Sequence, residues 1–165
     1  MKFIDQLIAF IGKATSWLTL ILVIVIIVDV FLRYVFNQTS AATTELEWHL
    51  FAIIFLLGAA YTLQQDGHVR VDVLYDGFSD KTKAWVNLLG SLFLLIPFCA
   101  ITLVESFSFV GSSFELDETS PQPGGLPARW FIKSMIPLGL FLLLLQGVSI
   151  IYKSLIVVLH GRKSI

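Results

Sequence analysis

Residues 50–63 carry no charge and are almost wholly apolar. With the flanking Trp48 and Gln64 they approach the roughly 20 residues a helix needs to cross a bilayer core of about 30 Å. Such a stretch leaves few folds open, because backbone amides in hydrocarbon must find their partners inside the segment, as they do in a helix. Glu45 and Glu47 precede the run, where carboxylates suit the positive end of a helix dipole. Gln64, Gln65 and Asp66 end it, and Gly67 is placed to take the left-handed conformation that closes a helix. The pattern predicts a membrane span over residues 46–65, with Trp48 near its entry.

Three other runs read the same way, over residues 16–36, 84–104 and 131–158. The composition agrees: 56% of the 165 residues are hydrophobic and 14% charged, against about 45–50% and 25% for a soluble domain. The expected fold is therefore an all-α integral membrane protein of four transmembrane helices, forming a single membrane domain over residues 1–165. Two short amphipathic helices lying in the interface are expected beside the spans. The first, residues 1–14, sets Phe3, Ile4, Leu7, Ile8 and Ile11 at helical spacing. No small-residue cleavage site follows it, which favours an uncleaved anchor over a signal peptide. The second, residues 71–78, places Val71, Leu74, Tyr75 and Phe78 on one face. A lone strand there would leave its backbone unpaired.

Charges inside such spans are costly and usually face protein or water. Asp29 and Arg33 stand four residues apart with the acid first, the favourable order for a same-face pair. Either the pair points at another helix, or Arg33 reaches the headgroups and carries Asp29 with it. Pro97 removes a backbone hydrogen bond and is expected to kink the third span. The fourth run is longer than a bilayer requires, and Gln146 near its middle reads as an interhelical hydrogen-bond former. Residues 105–129 hold acids, three of the five prolines and a Gly-Gly pair, and read as a loop.

Lys and Arg set the orientation. Lys2, Lys13, Arg70, Lys81, Lys83, Lys153, Arg162 and Lys163 fall at the two ends and in the middle connection, whereas the other two connections hold Arg33, Arg129 and Lys133. The positive-inside rule then places both termini in the cytoplasm and residues 105–129 outside. A net charge of -1 offers no basic field for nucleic acid.

The sequence shows no Gly-rich phosphate loop and no His-Glu-x-x-His. The single cysteine, Cys99, cannot form an internal disulfide. His49 and His68 sit at opposite ends of one span, about 28 Å apart at 1.5 Å per residue, too far to clamp one haem. The turn after the second span gathers His68, Arg70 and Asp72, and a structural role is expected for them, with Asp72 holding His68 or Arg70. No catalytic, cofactor-binding or metal residue is singled out. Asp29, Arg33, Glu45, Glu47, Trp48, His68, Arg70, Asp72 and Gln146 are instead candidates for subunit-interface or structural work.

Four stretches together resemble the small membrane subunit, the Q or DctQ type, of tripartite ATP-independent periplasmic (TRAP) transporters. They are RYVFN after the first span, TELEW before the second, GAAYTLQQDGHVRVDVLY at its exit and GGLPARWFIKSMIPLG entering the fourth. The resemblance implies a scaffold without catalytic activity or cofactor in the bacterial inner membrane. Its implied partners are a large TRAP membrane subunit, which would carry the sodium and substrate sites, and a periplasmic substrate-binding protein that delivers an organic acid. Two other classes compete. A small four-helix multidrug exporter would need an essential acid in its first span, where Asp29 stands beside Arg33. A redox-complex membrane anchor meets the histidine spacing just given.

Overall fold

A computed structural model describes residues 1–67, 75 and 77–161. Among them every regular element is helical, and four helical stretches are long and apolar enough to cross a membrane. They are α1 (Lys2–Phe36), α2 (Ala41–Gln64), the third stretch Asp80–Glu115 and α5 (Arg129–His160). The third comprises α3 (Asp80–Gly90), a π-helical turn (Ser91–Leu95) and α4 (Ile96–Glu115).

Residues 1–14 are not a separate helix. α1 runs unbroken for 35 residues, about 52 Å at 1.5 Å per residue, well beyond the hydrocarbon thickness. Nothing between Gly12 and Ser16 breaks it, because a lone glycine costs a helix only about 1 kcal/mol and no proline intervenes. Its N-terminal turns join the core: Ile8 is buried with Ala60 of α2 and Leu142 of α5, and Ile4, Ile11, Leu57 and Tyr61 pack around them. Gly12 is needed there, since a Cβ would lie 2.3 Å from Tyr61 Cγ.

Asn37 closes α1 in the left-handed region (φ 50°), donating to Leu32 O. Ser40 then caps α2 by accepting from the Thr43 amide. At the far end of α2 the residue with positive φ is Asp66 (φ 61°), not Gly67 as the sequence suggests. Gly67 instead donates its N–H to Thr62 O at 2.9 Å. Asp is one of the few non-glycine residues that enters this region readily.

Pro97 acts through the preceding turn. Immediately before it the ladder widens to the π pattern, with the Ile96 N–H bonded to Ser91 O. A wider turn is one way for a helix to absorb the lost donor and the crowding of the pyrrolidine ring. The connection expected over residues 105–129 is shorter than that. α4 continues through Glu105, Phe107, Phe109 and Phe114 to Glu115, because the prolines that stop helices lie beyond it, from Pro121 onward. Asp117, at φ 45°, follows the end of that helix.

α5 is the central element, packing against α1, α2, α3, the π turn and α4. At Gly139 the backbones of α5 and α2 come so close that a Cβ would stand 2.7 Å from Leu56 O. Small residues at helix contacts allow this approach in membranes, where dispersion packing replaces the hydrophobic effect. Large apolar side chains such as Leu20, Ile24, Phe31, Phe98, Ile101 and Val104 remain exposed on α1 and α4. That is the surface of a chain solvated by lipid or by another membrane protein.

Candidate functional site

The polar side chains gather at two ends of the bundle. At the end bearing the N-terminus, Asp5 reaches α5. Its carboxylate accepts from Ser149 Oγ and from Lys153 Nζ, each at 3.0 Å, while Gln64 Nε2 of α2 donates to the Asp5 backbone carbonyl at 2.8 Å. Three helices are thus tied at one point. Ser149 is fully buried, so its hydroxyl requires a partner. This cluster is not among the residues expected from the sequence, although a signal is present: Asp5 falls at the spacing of Ile8 and Gly12 on the face that packs inward, and Ser149 and Lys153 are one turn apart on α5.

At the opposite end Glu45 holds the connection of residues 116–128. Its Oε1 accepts from Ser120 Oγ, and Oε2 accepts from the Leu126 N–H at 2.6 Å. Glu45 is therefore a buried internal tie. Glu118 accepts from Lys133 of α5 and lies 4.0 Å from Arg129. The hydrogen bond from Lys133 is the main reason its carboxyl titrates below the ordinary glutamate value. Arg129 stacks over Trp48 with its guanidinium 5.7 Å from the ring centre, and Lys133 sits 4.0 Å over Phe109.

The remaining candidates separate. Asp29 is buried and bonded to Arg33 of its own helix, whose side chain stays 45% exposed. Asp29 itself faces the α1–α2 turn, where it shares a cavity with Asn37, Ser40 and Thr43. Glu47 Oε1 and His49 Nδ1 are buried without hydrogen-bond partners among the described residues, and His49 stacks on Trp48. Gln146 is buried in the middle of α5 with its Oε1 also unpartnered among them. The expected interhelical hydrogen bond is therefore not made by that oxygen. His68, Arg70, Asp72 and most of the expected helix over residues 71–78 lie outside the described residues. Of that helix Tyr75 exchanges hydrogen bonds with Asn87 of α3.

This arrangement defines a multi-pass helical membrane protein whose carboxylates Asp5, Asp29, Glu45 and Glu118 serve contacts within the chain. Sequence comparison carries the assignment further. The family model for the DctQ component of tripartite ATP-independent periplasmic transporters matches residues 22–156, and the chain belongs to that family. A Haemophilus influenzae protein named as a TRAP transporter small permease protein is 28% identical over 119 residues, covering 70% of this chain and 72% of its own length. The chain is thus a small subunit of a TRAP transporter, a tripartite system with other components.

Proposed function

We propose that this subunit is a non-catalytic scaffold, which supports a large transport subunit during sodium-driven, binding-protein-dependent uptake of an organic acid. The observation that carries the reading is the use of three carboxylates within the bundle: the half-buried Asp5 and the buried Asp29 and Glu45 are bonded to groups of this same chain, leaving none of these three open to a transported ion. Long apolar faces on α1 and α4 remain for a membrane partner. In this reading the sodium and substrate sites lie on the large subunit, the chain needs no cofactor, and a periplasmic binding protein supplies the acid. The membrane is the bacterial inner membrane, with both termini in the cytoplasm. Asp29 also bears on the exporter alternative, because the acid such a protein would need is bonded to Arg33.

The test is reconstitution. Liposomes holding this chain alone should accumulate no organic acid under an inward sodium gradient, whereas liposomes holding it with the large subunit and the loaded binding protein should. Uptake by the chain alone would refute the scaffold reading.

A further inference from the structure

Beside the connection of residues 116–128, α2, α4 and α5 enclose an apolar groove of about 700 Å³. Its rim carries Glu118, Arg129 and Lys133, and its floor includes Phe51, Phe55 and Ile136. Two independent features of this groove ask for the two halves of one ligand.

The rim sets two cations beside the Glu118 carboxylate. Arg129 and Lys133 occupy the first residues of α5, whose first turn contains no acid. Cations there oppose the helix dipole. Lys133 is engaged by Glu118. Arg129 stands 4.0 Å from the same carboxylate and, among the described residues, its guanidinium donates no hydrogen bond. Glu45 also lies within electrostatic reach of Arg129, but both of its oxygens are taken by Ser120 and the Leu126 N–H. The Trp48 ring lies beneath the guanidinium, its centre 5.7 Å from the guanidinium carbon. A planar guanidinium whose donors make no hydrogen bond among the described residues matches the oxygens of a phosphate.

The floor is hydrocarbon-like. Phe51 and Phe55 stack at 6.5 Å between centroids and stay 62% and 66% exposed. They follow Trp48 along one face of α2, at three and seven residues, and so lie progressively deeper than the rim. Trp48 and Trp130 mark the headgroup depth at which membrane proteins favour such rings. An anion at the headgroup level with an apolar channel directly beneath it is the shape of a phospholipid.

We propose that this groove binds one phospholipid of the surrounding bilayer, its phosphate on Arg129 and one acyl chain along Phe51, Phe55 and Ile136. The site requires only that the chain be embedded in a bilayer, so it stands apart from the transport reading. A lipid so held would fill the gap between α2 and α4 on the side of α5 and brace the connection that Glu45 and Glu118 tie down.

The test uses the full-length chain with whatever membrane partners purify with it. The complex is placed in phosphatidylcholine vesicles containing a small share of phosphatidylglycerol that bears a photoreactive diazirine in its acyl chain. Irradiation and peptide mapping should place cross-links on residues 51–56 and 132–136. Arg129→Gln should lower that yield about tenfold, the size of a lost charge-assisted hydrogen bond. Ala52→Trp, which fills the groove without changing charge, should abolish it while labelling of the outer face of α1 persists. Equal groove labelling in the native chain and both variants would overturn the site. Loss in Ala52→Trp with none in Arg129→Gln would overturn the phosphate contact. Cross-linking of a cysteine at Phe55 to a protein partner in place of lipid would assign the groove to that partner and overturn the proposal.

Discussion

Glu118 and Lys133 make the stability of the chain depend on pH. The folded carboxyl titrates below the ordinary glutamate value, chiefly because Lys133 bonds to its charged form. A depressed carboxylate pKa contributes stability that is present above the unfolded value and is lost as pH falls through the folded value. Thermal stability in detergent should therefore decline below the ordinary glutamate range, and Lys133→Gln should flatten that decline. An unchanged acid limb in the variant would remove this pair from the acid response. At Gly139 a larger effect is expected, since a Cβ 2.7 Å from Leu56 O forces two helix backbones apart. Gly139→Ala should cost roughly 1–3 kcal/mol, the usual penalty of overpacking, read as a lowered melting temperature. Individual site residues were legible in the sequence when the partner was near in the chain: Asp29 and Arg33 meet as their spacing requires. Glu45 was singled out for its place at a helix start, but its true partners, Ser120 and Leu126, are 75 and 81 residues away. No local pattern encodes such a separation.

The helices themselves were visible as apolar runs, because a bilayer imposes length and composition on every span. Their ends were less so. α4 outlasts the expected span by more than two turns, since Phe107, Phe109 and Phe114 sit among residues that tolerate helix and the stop comes only before Pro121. The N-terminal segment shows why amphipathic patterning is ambiguous: a face made of Ile4, Ile8 and Ile11 can rest on lipid or on protein. Here it packs on protein, joined by the Asp5 tie. The two roles differ in a measurable way. Ile8→Ala should cost roughly 2–5 kcal/mol if the residue is a core member, as for other large-to-small core changes. A segment merely floating at the interface would show almost no loss of melting temperature.

At the scale of the whole molecule, α5 packs against each of α1 to α4 among the described residues, so these spans form one bundle built around α5. Charge predicts which way that bundle sits, since translocation favours Lys and Arg in the cytoplasm. Lys81 and Lys83 begin α3, near the end where Lys153 meets Asp5, whereas Glu118 and Thr119 belong to the opposite connection. The positive-inside rule predicts Lys81 inside and Thr119 outside. Cysteine substitutions can read this directly, because the native Cys99 is fully buried and its replacement by alanine gives a silent background. In intact cells an impermeant maleimide should label Thr119→Cys but not Lys81→Cys, and permeabilising the inner membrane should expose the second. The converse pattern would invert the bundle. It would also carry the phospholipid groove, which lies on the Glu118 side, from the outer leaflet to the inner one, so the same pair of cysteines decides which leaflet must supply the lipid.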